Sequence, residues 1–103
     1  MKIKILIPVY NDWQSISKLL DEINLNLSNL DYEVSVVIVN DASNHDRQDE
    51  KKTLENIQSI KILNMKINQG HARCIALGLK YIYEKEDFDY VIPMDGDWEE
   101  VDN

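Results

Sequence analysis

The sequence predicts an α/β fold: a mainly parallel sheet with helices on both faces. Two observations carry this prediction. Short apolar runs of strand length alternate with polar turns and with stripes of apolar residues at helical spacing. The chain is also long enough, at 103 residues with 44% hydrophobic content, for one domain with its own core.

The elements follow in order. Ile3 to Val9 is an apolar run closed by Tyr10-Asn11-Asp12, which predicts a buried strand. Ile16, Leu19, Leu20, Ile23 and Leu27 then recur at helical spacing, with Asp12 or Ser15 as N-cap and Ser28-Asn29 as the break. Glu33 to Asn40 is rich in β-branched residues and predicts the second strand. Asp41 to Asp46 is a polar loop, and a mostly polar helix is expected over 46–57. Ile60 to Asn64 is expected as the third strand and Asn68-Gln69-Gly70 as a turn. Ala72, Ile75, Ala76, Leu79, Ile82 and Tyr83 form a helical stripe, and Tyr90 to Met94 is the fourth strand, ended by Asp95-Gly96-Asp97. Helical crossovers between buried strands imply parallel pairing with right-handed connections. The expected strand order is 3-2-1-4 in a Rossmann-like three-layer α/β/α arrangement.

Charge and cysteine usage narrow the function. Lys plus Arg is 11 and Asp plus Glu is 19, a net charge of −8. That balance argues against a nucleic-acid backbone or an anionic membrane as the main partner. An anionic ligand would need a local device: a metal ion, a helix N-terminus or one placed Arg. Cys74 is the single cysteine, so no intrachain disulfide and no cysteine-based zinc cluster can form. No apolar stretch reaches the roughly 20 residues of a membrane span, and Pro8 interrupts the N-terminal run. A cytoplasmic location is expected, and any membrane attachment would have to come from segments beyond these residues.

The topology concentrates the unusual residues. In such a sheet all four strand-to-helix loops open at the C-terminal edge of the strands, where ligands bind. Tyr10 and Asp12 follow the first strand, Asp41 the second, Asn68, Gly70 and Arg73 the third, and Asp95 and Asp97 the fourth. Two carboxylates two residues apart suit a divalent cation that is shared with phosphate oxygens; the alternative is an acidic surface turn. Asp41, at the sheet mouth, could accept from a base N–H or a ribose hydroxyl, or could simply cap a turn beside Ser43. Gly70 permits a tight turn into a helix whose N-terminus favours anions. Arg73 in that first turn opposes the helix dipole, which an anion bound nearby would explain; a solvated surface Arg is the alternative. Tyr10 could offer its ring to a base or be an ordinary aromatic at the core edge. Cys74 reads as a small buried hydrophobe, and His71 as a surface residue. The Asp-x-Asp does not open an EF-hand loop, and the glycine patterns of nicotinamide-binding and P-loop domains are absent. A haloacid-dehalogenase-like phosphatase would carry its Asp-x-Asp near the N-terminus.

Four segments resemble family 2 glycosyltransferases of the GT-A fold. These are Ile7-Pro8-Val9-Tyr10-Asn11-Asp12, Val37-Ile38-Val39-Asn40-Asp41-Ala42-Ser43, Asn68-Gln69-Gly70-His71-Ala72-Arg73 with Ala76-Leu77-Gly78-Leu79, and Ile92-Pro93-Met94-Asp95-Gly96-Asp97. The last segment and the Gly-Leu helix lean towards the polyprenyl-phosphate branch, similar to dolichol-phosphate-mannose synthase. The resemblance implies transfer of a sugar from a UDP- or GDP-linked donor to an acceptor such as a polyprenyl phosphate or a polysaccharide. It implies that Pro8, Tyr10, Asp12, Asp41, Asn68, Gly70, Arg73 and Asp95 serve the nucleotide-sugar, with Asp41 on the base. It also implies that Asp95 and Asp97 hold Mg²⁺ or Mn²⁺. Asn40 departs from the family's first acid in the second segment, and Trp98 is less polar than is usual there. Family members run well beyond this length, and no candidate catalytic base lies among these residues. The expectation is therefore one domain over 1–103, incomplete at its C-terminus, that supplies the donor-binding half and is inactive alone. Its fourth strand would be an open edge that invites self-association. The competing expectation is a non-catalytic α/β module that binds a nucleotide or a protein.

Overall fold

The structure, a computed structural model, describes residues 1–44 and 54–94. It contains β1 (Lys2–Val9), α1 (Trp13–Asn26), β2 (Glu33–Asn40), β3 (Ile57–Asn64), α2 (His71–Lys85) and β4 (Tyr90–Pro93). The strands form one parallel sheet in the order β3-β2-β1-β4, as the sequence predicts.

The two central strands explain their own composition. Ile5, Ile7 and Val9 of β1 and Val34, Val36 and Ile38 of β2 share one face with Ile16, Leu19, Leu20 and Ile23 of α1. Leu6 of β1 and Val37 and Val39 of β2 point to the opposite face, against Cys74 and Ile82 of α2. Strands covered on both sides have no solvent face, so their side chains need not alternate with polar ones. Each fully buried Leu, Ile or Val contributes about 1.5–3 kcal/mol relative to exposure.

Asp12 is the N-cap of α1: its carboxylate accepts from the Ser15 amide at 3.2 Å and from the Ser15 hydroxyl at 2.7 Å. Two expectations change in the third segment. Of the helix expected over 46–57, residues 45–53 lie outside the described ones, while residues 54–57 form a turn into a strand. That strand starts at Ile57 rather than Ile60. Ile57 is buried opposite Val34, and an irregularity between Val34 and Ser35 then brings Ser59 opposite Ser35. The polar pair Gln58-Ser59 hides this start in the sequence.

Both prolines sit where the sheet needs no donor. Neighbouring residues of a parallel strand turn their backbone groups to opposite sides. The Asp41 amide donates to Val9 O, so Val9 faces β2; the Met94 amide donates to Leu6 O, so Leu6 and Pro8 face β4. Among the described residues the β4 ladder ends at the pair Leu6–Pro93, two residues short of Pro8. Pro93, one residue before the inward-facing Met94, turns outward. Among the described residues β4 is an outer strand of four residues, and its outward side lacks the N–H at position 93.

Two cavities among the described residues lie away from the C-terminal edge of the strands. An apolar groove of about 420 Å³ is lined by Leu79, Tyr83, Phe88 and Val91, beside the C-terminal half of α2. A polar one of about 200 Å³ lies at the opposite end of the strands, among Lys2, Lys4, Glu33, Ser35 and Asp87.

Candidate functional site

The C-terminal edge of the sheet is assembled from loops that hold one another. After β1 the chain turns through Asn11 at φ 63°, and after β2 through Ala42 at φ 56°, both left-handed. Asn tolerates that region through its short polar side chain. Asn11 also uses the turn: its amide donates to Ser43 Oγ at 2.8 Å, and its Oδ1 accepts from the Asn44 amide at 2.9 Å. The first two loops are thereby joined crosswise. Ala42 has no such compensation, so Ala42→Gly is expected to stabilise the chain by about 0.5–1 kcal/mol, the left-handed penalty less the extra freedom of an unfolded glycine. Urea denaturation of the two chains checks this.

The second and third loops are joined as well. Asn40 Nδ2 donates to Asn64 Oδ1 at 3.0 Å, and the Met65 amide donates to Asn40 O at 2.8 Å. Asn68 Nδ2 donates to Asp41 O at 3.3 Å. The Asp41 carboxylate is 1% exposed, and its two oxygens accept from the amides of Gln69 at 2.7 Å and Gly70 at 2.9 Å. The buried Cys74 thiol, one turn into α2, lies beside the same carboxylate and favours its charged form. Burial by itself would raise the Asp41 pKa, but the Gln69 amide, the Cys74 thiol and the Gly70 amide, with His71 nearby, outweigh it and hold the carboxyl below its ordinary 3.8. The same contact, after burial itself, helps push the Cys74 thiol up to about 11, so it is no nucleophile.

Gly70 is the N-cap of α2 at φ 88°, a conformation that disfavours a Cβ, and as a glycine it supplies no side-chain cap to this helix end. Arg73 is exposed in the first turn and donates to Gln69 Oε1 at 3.2 Å. Tyr10 is 41% exposed where β1 ends.

The structure thus brings Tyr10, Asp12, Asp41, Asn68, Gly70 and Arg73 to loops on one edge of the sheet. Three of the predicted residues are placed differently from a ligand-facing side chain. Pro8 is fully buried inside the sheet. The Asp12 carboxylate caps α1. Asp41 is enclosed by backbone donors, because the third loop folds back over the end of β2. Asp95 and Asp97 lie outside the described residues. Among the described residues no cluster of three or more His, Cys, Asp or Glu could hold a metal. Sequence reasoning missed Asn11, Asn40 and Ser43 as the links between loops; their only signal was a run of small polar residues just past two strands.

An open parallel sheet whose strand-to-helix loops meet at one edge is a ligand-binding α/β domain. The sequence profile of glycosyl transferase family 2 matches residues 4–100, and the chain belongs to that family. The fold is similar to the crystal structure of S. aureus TarS 1-349, with a TM-score of 0.65 and 23% identity over 94% of this chain. The chain spans 28% of that structure. No curated protein sequence matches the chain. Among the described residues no helix is long and apolar enough to cross a membrane.

Proposed function

We propose that the chain forms the donor side of a metal-assisted glycosyltransferase and binds a UDP- or GDP-linked sugar at the C-terminal edge of its sheet. The observation that carries this reading is the family match over residues 4–100, which takes in every one of the four edge segments, Asp95 and Asp97 included. In this reading the exposed Tyr10 ring stacks on the base. The diphosphate lies against the N-terminus of α2, opened by Gly70, and offsets the positive charge of Arg73 that the helix dipole alone makes unfavourable there. Asn68 and Gly70 shape the approach to that helix. Asp95 and Asp97 supply hard oxygen ligands of the kind that Mg²⁺ or Mn²⁺ takes together with phosphate oxygens. The ion, when bound, stabilises the charge that develops on the departing diphosphate. A local metal also resolves the conflict between an anionic ligand and a chain of net charge −8.

Calorimetric titration of the chain with UDP and with GDP, with and without Mn²⁺, tests the reading. Binding of at least one nucleotide should require Mn²⁺ and weaken about tenfold or more in Asp97→Ala, the loss of one charge-assisted ligand. Absence of binding under every condition would leave the non-catalytic module in its place.

A further inference from the structure

Directly after Tyr10 the chain is bent by two short-range bonds. The Asp12 amide donates to Tyr10 O at 2.8 Å, and the Trp13 amide donates to Asn11 O at 2.9 Å. Each bond spans only two residues, so Asn11 and Asp12 are the centres of successive γ-turns. Asp12, at φ −87° and ψ 60°, takes the common form. Asn11 takes the form with positive φ, at 63°, which is the rare and strained one. Such strain persists where the surroundings over-determine it. Here the surroundings are the loop after β2. The Asn11 amide donates to Ser43 Oγ at 2.8 Å and Asn11 Oδ1 accepts from the Asn44 amide at 2.9 Å, across 32 and 33 residues of chain. Ser43 is held in turn: its amide donates to Asn40 Oδ1 at 3.1 Å, and Asn40 Nδ2 donates to Asn64 Oδ1 at 3.0 Å. Asn40 and Asn64 are the last pair in the register of β2 and β3. The strained turn is thus anchored to the ends of two further strands. Its neighbour Tyr10 is 41% exposed and lies outside both core clusters.

We propose that Asn11 is a positioning residue: its ties to Ser43 and Asn44 hold the strained turn, and that turn, rather than core packing, sets the direction of the Tyr10 ring. The consequence rests on the reading that this ring stacks on the base of a nucleotide; the junction itself rests on the hydrogen-bond geometry. Asparagine suits the position twice over, since it tolerates positive φ and its Oδ1 reaches the facing amide. Without the tie the turn relaxes towards negative φ, and the backbone that carries Tyr10 rotates with it. The ring then meets the base in only part of the population, and affinity falls by that fraction. The diphosphate, at the N-terminus of α2, takes no part in this. Loss of the tie should therefore weaken a whole nucleotide and spare inorganic diphosphate, whereas general loosening of the edge would weaken both.

Calorimetric titration of the whole 103-residue chain with UDP, GDP and inorganic diphosphate, each with Mn²⁺, tests the proposal. Asn11→Gly permits the positive φ but loses the Oδ1 acceptor. It should weaken the nucleotide that the wild type binds about fivefold, the loss of one hydrogen bond, and leave diphosphate unchanged. Asn11→Asp keeps the acceptor and the tolerance of positive φ, and should bind as the wild type does. In a Tyr10→Ala background Asn11→Gly should have no further effect, because the ring through which it acts is gone. Hydrogen exchange reads the junction directly: the Asn44 amide should be protected in the wild type and exchange at least about fivefold faster in Asn11→Gly. An unprotected Asn44 amide in the wild type overturns the proposal, even if the variant fails to fold. So do equal losses of nucleotide and diphosphate, an Asn11→Asp variant as weak as Asn11→Gly, and an undiminished effect of Asn11→Gly without the Tyr10 ring. A wild type that binds no nucleotide removes the donor-site reading and the positioning role with it. Nucleotide binding that is the same in wild type and Asn11→Gly removes the positioning role alone.

Discussion

Gly78→Ala is expected to destabilise the chain by about 2 kcal/mol, although alanine is the better helix former by about 1 kcal/mol. Gly78 lies in α2 where the helix crosses the sheet. A Cβ there would stand 2.4 Å from Leu6 Cδ1, 3.0 Å from Leu6 Cδ2 and 3.1 Å from Val39 Cγ2. Leu6 has no accessible surface and Val39 almost none, so neither side chain can move aside without displacing the rest of that core face. The penalty should couple to Leu6. Leu6→Ala alone removes a buried leucine and leaves a cavity, at a cost of about 3 kcal/mol. In the double variant the new methyl group enters the vacated space, so the combined loss should fall short of the sum by about 1–2 kcal/mol. Urea denaturation of the four chains measures this. Strict additivity would mean that α2 does not approach β1 at this point. The same contact gives the Ala-Leu-Gly-Leu segment a packing reason, since close approach of α2 to the sheet fixes the height of its N-terminus at the C-terminal edge of the strands.

How much of this could be read from the sequence depended on whether the cause was local. β2 was plain because Val34, Val36, Val37, Ile38 and Val39 report burial on two faces at once. The stripe Ile16, Leu19, Leu20, Ile23 likewise reports a helix with one covered face, and Asp12 three residues ahead of Ser15 reports its start. β3 is an outer strand among the described residues, with exposed Gln58, Ser59 and Lys61, so its signal is diluted and its start resembles the end of a helix. That the loops share one edge is legible because topology alone sends every strand-to-helix loop of such a sheet to one side. What Asp41 does there was not legible. It depends on a third loop that folds back over the end of β2, a contact made 28 residues away that leaves no mark near position 41. Ala42 is a similar case: nothing in an alanine announces a left-handed backbone, whereas Asn11 belongs to the residue class that adopts one.

Asp41→Asn is expected to cost about 2–3 kcal/mol at neutral pH, and the cost should shrink in acid. The native carboxyl titrates below 3.8, the ordinary value that it regains on unfolding. The unfolded chain therefore binds a proton before the native one does, and stability falls as the pH drops through the gap between the two. The contribution of the charge is fully present above the unfolded value, so it should be constant from pH 7 down to about 5. It should decline below about pH 4 and be gone once the native carboxyl is protonated. The second lowered carboxyl, Asp87 beside Lys2, is fully exposed and adds little to this dependence. Denaturation of wild type and Asp41→Asn at pH 7, 5, 4 and 3 should thus give two curves that run parallel and then converge. A gap of constant size across that range would mean that the amides of Gln69 and Gly70 gain nothing from the negative charge, and that the shape of the side chain alone holds the third loop against the end of β2.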